Sequence, residues 1–462
     1  MKLPILISIL FLCFALAGGA RSSSLPLYWE EVVSLARLKS PALRTGAEDV
    51  EYARLGYLQT YSSFLPSFSG SAGVSRSGGS GGEESSQDSY SYGLSGQLSL
   101  FSGFGDLNRR RVKRLDYESA QADYRRTVSD TYYNLRRSFL ELLWAQENIE
   151  LSREILSQRK ENLDLVRLKY EAGLEDLGSL LRMEADHHQA RREYEQSIRQ
   201  ADVYGRRLAQ DIGLDEAQPL TVAGNLEMDQ PEIAEEIEPE IELLIETVPE
   251  HLVASFQVDK ARREMSIAHS NFSPELSLSS GVSRSGDDWK AERESWRLGV
   301  QLSIPIFSGG GRDFVNTRMT RIKETIAGEN LRQTRHRLGT EIHSAWVDLI
   351  NARDNLDVRR KYLEASAEQS RIITTKYLNG LISYLEWNRV ENEYISAQRS
   401  LLNAHRDVAL ALARWLRTLG RVEEEELLPN AVIGNPQAET TDKLISRVSY
   451  HPEMPKHQDW AD

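Results

Sequence analysis

Three groups of residues are of types that could do chemistry, and each fails on spacing or setting. His187-His188 offers two imidazoles to a metal ion. Adjacent positions on a helix point about 100° apart, however, so the pair cannot chelate one ion as residues four apart can. Gly309-Gly310-Gly311 offers a backbone cradle for an anion, but no Lys-Ser/Thr follows at P-loop spacing, and a joint after a strand accounts for it better. Cys13 is the only cysteine, and it lies within the apolar run Ile5 to Leu16 behind Lys2, ahead of the small residues Ala15-Leu16-Ala17 and Gly18-Gly19-Ala20. That pattern reads as a signal peptide over residues 1–20. Leu10-Phe11-Leu12 lacks the small residue that a lipoprotein peptidase needs before its cysteine. Removal of the signal leaves no thiol, which excludes disulfides, cysteine-ligated metals and cysteine nucleophiles. The sequence thus predicts no catalytic residue, no metal site, no cofactor and no enzyme.

The formal charge is −13, or −14 once Lys2 leaves with the signal, which argues against nucleic acid or anionic lipid as partners. Basic clusters such as Arg109-Arg110-Arg111 have acidic neighbours and read as solvated helix faces. After the signal, no stretch reaches the roughly 18 apolar residues of a membrane helix, so an exported chain of this length is either soluble or a β-barrel protein.

The elements that position everything else are written twice. Phe64-Leu65-Pro66 and Gly73-Val74-Ser75-Arg76-Ser77-Gly78 recur as Phe272-Ser273-Pro274 and Gly281-Val282-Ser283-Arg284-Ser285-Gly286, and Pro41 recurs as Pro249, all at an offset of 208 residues. Leu100-Phe101-Ser102-Gly103 recurs as Ile306-Phe307-Ser308-Gly309, Gln146 aligns with Arg353, and Gly213 with Gly420. A register held within two residues over most of the chain indicates duplication.

Within each copy the hydrophobic period changes in the same order. A helical segment, near 28–63 and 238–271, precedes two runs that alternate apolar with small or polar residues. The runs form a predicted hairpin at about 66–101 and another at about 274–307, with polar loops at Ser80 to Asp88 and Asp287 to Glu294. Runs of about 10–12 residues suit tilted membrane strands, and Tyr90, Tyr92 and Trp296 fall where an aromatic girdle at the membrane interface would sit. An aromatic on a soluble sheet would look the same.

Each hairpin leads through a glycine-rich joint into a proline-free helix, about 106–172 and 312–379, on the order of 100 Å long at about 1.5 Å per residue. Leu135, Leu142, Ile149, Leu156, Leu163 and Tyr170 are seven apart, as are Ile342, Leu349, Leu356 and Leu363, the repeat of coiled coils. Gly173 and Gly380 suit left-handed C-caps, Asp176 and Ser383 can cap the returning helices 176–213 and 383–420, and Ser383 to Glu386 has capping-box spacing.

The chain therefore reads as a signal (1–20), a first repeat (21–213), an acid- and proline-rich equatorial linker (214–240), a second repeat (241–420) and an expected disordered tail (421–462). Four strands per chain leave two edges that lipid cannot satisfy, so chains must pool strands. A periplasmic coiled-coil scaffold without channel activity is the alternative, but it leaves the paired alternating strands unexplained.

Two copies of helix, strand hairpin, long helix, Gly-Leu turn and return helix resemble the TolC-type outer membrane efflux protein family. The marks are Leu298 to Phe307 with Ser308-Gly309-Gly310, and the sequences Lys169-Tyr170-Glu171-Ala172-Gly173-Leu174 and Lys376-Tyr377-Leu378-Asn379-Gly380-Leu381. The resemblance implies an α+β membrane protein: a homotrimeric, 12-stranded outer-membrane β-barrel set in lipid and continued by a periplasmic α-helical coiled-coil barrel. It implies a passive exit duct of a tripartite efflux or type I secretion system. Its partners would be a periplasmic adaptor and an inner-membrane pump, proton-driven or of the ATP-binding cassette type. By matched position the adaptor would dock at Gly173, Leu174, Gly380 and Leu381. Glu386 matches an acidic entrance ring, but Arg389 stands one turn on, where the best-known members carry a second acid. Glu386 as a gate and Glu386 as a helix cap both stay open. Copy one carries Ser179, Leu180 and Arg182 at the corresponding places, so any gate is expected to be asymmetric. No Met or His cluster points to a metal cargo.

Overall fold

The computed structural model describes residues 26–78, 87–214, 220–226, 237–307 and 309–421. The expected signal (1–20), the tail beyond Arg421, most of the first hairpin loop and parts of the 214–240 linker lie outside these residues.

Each repeat opens with two helices where the apolar pattern predicts one. Helices α1 (Trp29–Lys39) and α2 (Pro41–Gln59) precede the first hairpin, and α5 (Ile241–Thr247) and α6 (Pro249–Ser270) the second. The cause is the duplicated proline. Its ring drives the preceding residue out of the α region, and Ser40 (ψ 119°) and Val248 (ψ 130°) are both extended.

The strands β1 (Ser67–Ser77), β2 (Gln87–Ser102), β3 (Glu275–Gly286) and β4 (Arg293–Ser303) form one antiparallel sheet in the order β1-β2-β3-β4. The pairing of β2 with β3 joins the two repeats, and its register slips at a bulge between Ser99 and Phe101. Gln87 and Asp88, expected in a loop, pair with Ser77 and Arg76, and the Arg76–Asp88 ion pair at 2.8 Å ties that rung. Ile304 to Phe307, expected in a strand, lie past Ser303, the partner of the first residue of β3.

Past the hairpins, α3 (Gly105–Glu171) and α7 (Arg312–Leu378) are 67 residues each, and α4 (Leu177–Ile212) and α8 (Tyr384–Thr418) return. Both joints need a left-handed backbone: φ is +58° at Gly103 and +65° at Phe104 in copy one, and +61°, +62° and +87° at Gly309, Gly310 and Gly311 in copy two. A Cβ on Gly103 would stand 2.4 Å from the Ser273 Cβ, so glycine is required there.

The chain divides into two compact units, one of Met1–Leu38, Leu135–Met228 and Val358–Arg406, the other of Lys39–Asn134, Asp229–Asp357 and Asp407–Asp462. In the first, the heptad residues Leu135 and Leu142 are buried and Leu163 and Val166 join Leu180, Met183, Tyr377 and Trp387 in one cluster. There too Gln146 grips the linker with both ends of its amide: Nε2 donates to the Val222 carbonyl at 2.8 Å and Oε1 accepts from the Val222 N–H at 2.9 Å. In the second unit, Ile245 and Val248 pack with Leu338, Ile342 and Leu419. Among the described residues, no helix is long and apolar enough to cross a membrane.

Candidate functional site

The two helix reversals are built alike. α3 ends with Gly173 at φ +73°, where its N–H reaches the Tyr170 carbonyl (2.9 Å) and the Leu174 N–H reaches that of Lys169 (2.8 Å). α7 ends with Gly380 at φ +74°, with matching bonds from Gly380 to Tyr377 (3.1 Å) and from Leu381 to Lys376 (2.9 Å). This closure satisfies the last carbonyls of a helix and turns the next side chain outward. Leu174 and Leu381 are in consequence 73% and 72% exposed. Leu177 and Leu385 beside them are exposed as well. Four leucines uncovered at two neighbouring turns form an apolar surface of the kind that marks an interaction site.

The returning helices are capped by different side chains. Asp176 Oδ1 accepts from the Ser179 N–H at 2.8 Å, and Ser383 Oγ accepts from the Glu386 N–H at 3.3 Å. Ser383 thus makes its half of the capping box, while the Glu386 carboxylate, exposed, has no hydrogen bond or ion pair among the described residues. Arg389 is held by Glu393 at 2.6 Å.

Behind the turns lies a polar network that heptad reasoning missed. Trp387, fully buried, stacks on Tyr377 with ring centroids 4.4 Å apart and donates Nε1 to the Thr374 hydroxyl at 3.0 Å. The Tyr377 hydroxyl donates to Glu175 at 2.8 Å, and Lys169 donates to the Tyr377 carbonyl at 2.7 Å, so the two copies are cross-tied. One turn beyond Trp387, Glu391 is 2% exposed and accepts from Ser370, Thr374 (3.1 Å) and Gln158 (2.8 Å). Arg159, also buried, reaches Asn388 and Asn392. Burial lowers its pKa, and the charges of Asp186 and Glu391 oppose that shift only in part. Burial likewise pushes the Tyr384 hydroxyl up to about 12, with Asp186 adding to the shift, so Tyr384 stays neutral. The signal that could have found this network was a carboxylate four residues from Trp387, on the inner face of α8.

On the sheet, one face is apolar across all four strands: the rungs Gly70–Leu94, Leu94–Val282 and Val282–Trp296 continue one another, as do Leu98–Leu278 and Leu278–Val300. Tyr90, Tyr92 and Trp296 lie on this face, opposite Val74, Ala72 and Val282. The other face is mostly serine and glycine, with Gln97, Gln301, Arg293, Arg297 and Glu275 among them, and Ser71, Gly93, Ser283 and Ser295 form a single row. Both faces are open, and Trp296 is 79% exposed. Among the described residues, no group of three or more His, Cys, Asp or Glu could hold a metal ion.

The description "outer membrane efflux protein" belongs to the family whose sequence pattern matches residues 32–214 and again 241–421. The chain belongs to that family. Relatives of this outer membrane efflux protein include the probable outer membrane lipoprotein SilC of Salmonella typhimurium, 23% identical over 78% of this chain and 78% of its own length. The alkaline protease secretion protein AprF of Pseudomonas aeruginosa is 24% identical over 78% of this chain and 76% of its own. Among solved structures, CusC superposes with a TM-score of 0.78 at 19% identity, covering 85% of this chain and 92% of that one. The efflux protein is thus an outer-membrane channel component of an efflux or secretion system.

Proposed function

We infer that three copies of this chain form a passive exit duct whose helix turns dock a periplasmic adaptor and, through it, an inner-membrane transporter. The observation that carries the reading is the open four-stranded sheet, apolar on one face and lined mostly by serine, glycine and other polar residues on the other. In lipid each unpaired backbone group at the β1 and β4 edges costs several kcal/mol. Joining β4 of one chain to β1 of the next removes both edges, and three chains give twelve strands around a polar lumen. Tyr90, Tyr92 and Trp296 then stand at the membrane interface. On α7, Val315, Met319, Ile322 and Ile326 are exposed at helical spacing, a stripe that a neighbouring chain would cover.

At the turns, Leu174 and Leu381 provide the docking contact, and Gly173 and Gly380 set the backbone that presents them. Glu386 forms a single acidic ring at the entrance. Arg389 does not cancel that ring, because Glu393 engages it within the same helix.

Purified protein in detergent should run as three chains and insert into planar bilayers as a conducting pore; a monomer without conductance would sink the reading. In those pores Glu386→Gln should reduce cation preference several-fold and relieve block by divalent cations, since three carboxylates in a constriction favour cations. Unchanged selectivity and unchanged block would overturn the acidic entrance ring.

A further inference from the structure

We propose that Arg297 makes the polar face of the sheet an anion-preferring lining, favouring solutes that bear carboxylate, phosphate or sulfate groups in the outer-membrane segment. The inference rests on the three-chain barrel above.

Register fixes the face on which Arg297 stands. It pairs with Gly281, Gly281 with Ser95, and Ser95 with Ser69, so the arginine belongs to the serine and glycine row. Its flanking residues on that face of β4 are Ser295 and Gly299. Arg297 is exposed and makes no ion pair or hydrogen bond among the described residues.

The nearby acids do not neutralise it. Glu294 is on the opposite face and pairs with Arg284 at 3.0 Å, while Asp287 pairs with Arg293 at 3.2 Å. Glu275 begins β3, six residues before Gly281, or roughly 20 Å at about 3.3 Å per residue. The neighbouring chain cannot supply a counter-charge from its edge strand either. On the polar face β1 carries only Ser67, Ser69, Ser71, Gly73, Ser75 and Ser77, so any register of β1 against β4 puts serine or glycine beside Arg297.

Between the ends of the described strands, the lining therefore has one kind of fixed charge, and it is positive. Twelve strands about 4.8 Å apart and tilted by about 40° close at a radius of about 12 Å. An extended arginine covers a good part of that radius, which leaves the axis within about one Debye length at physiological salt, about 8 Å. Rings of arginine or lysine act in this way in anion-conducting pores.

The test is the reversal potential of the full-length protein in planar bilayers under a threefold KCl gradient, at low and at high salt. With Arg297→Glu, and less strongly with Arg297→Gln, the anion-to-cation permeability ratio should fall about threefold or more near 10 mM, where the Debye length is about 30 Å. It should change little near 1 M, where that length is about 3 Å. Arg297→Lys, which keeps the charge, should retain the original ratio. Conducting pores whose ratio is the same in all variants at low salt would overturn the inference and leave the duct intact. Absence of conducting pores from the unaltered protein would overturn the duct, and this inference with it.

Discussion

Replacing Leu174 and Leu381 together by aspartate should abolish adaptor docking while leaving assembly and conductance unchanged. Full burial of a leucine is worth about 1.5–3 kcal/mol, so loss of one contact weakens docking by about ten- to a hundredfold at 1.4 kcal/mol per decade. Aspartate adds the cost of drawing a charge into the interface. The backbone of the turns is set by Gly173 and Gly380 and by main-chain hydrogen bonds, none of which the substitutions touch. Cross-linking from position 177 in native envelopes would show the change: the adduct to the adaptor should disappear from the double variant, with three-chain assemblies still present. An adduct of undiminished yield would place docking elsewhere on the helices.

The second large effect is expected inside the same unit. Glu391→Ala should loosen both helix reversals, because it strands the Ser370, Thr374 and Gln158 donors and removes a charge that faces Arg159. Breaking a buried charge network by deleting one partner costs about 3–5 kcal/mol, more than the loss of an exposed ion pair by several-fold. Amide hydrogen exchange in residues 158–176 and 370–395 should accelerate a hundredfold or more, while amides of β2 and β3 keep their protection. Glu391→Gln, which keeps shape and an acceptor, should have a smaller effect. Unaltered exchange at both reversals in Glu391→Ala would show that the network carries no local stability.

The fold class was legible because two periods are hard to confuse. Leu135 to Tyr170 repeats every seven residues and Trp296 to Ile306 every two, and no other pairing of elements satisfies both in each half of the chain. Limits appeared where one residue outweighs a pattern. Pro41 and Pro249 were visible as a matched pair, yet the strong helix formers around them masked the break that each imposes. Gln87 and Asp88 read as loop because they are polar, whereas at the outer end of a sheet polar residues extend the ladder at no cost. Arg293 and Glu294 begin β4 for the same reason. The turn leucines follow from a local Gly-Leu signature. The Glu391 network does not, since a heptad tells which face is inward but not which polar group on it will find a partner across 233 residues of chain, as Gln158 does for Glu391.

The grip of Gln146 on Val222 bears on symmetry. An amide can donate and accept at once; a guanidinium only donates. Arg353, the matching residue of the second copy, therefore cannot close the same two-point clasp on a strand-like backbone. In the proposed three-chain duct there would be six near-equivalent hairpins and six helix reversals. Among the described residues the clasp occurs once per chain, so such a duct would carry three clasps against six helix reversals. In that duct the clasp would mark one repeat of each duplicated pair, giving alternate repeats that a partner could tell apart.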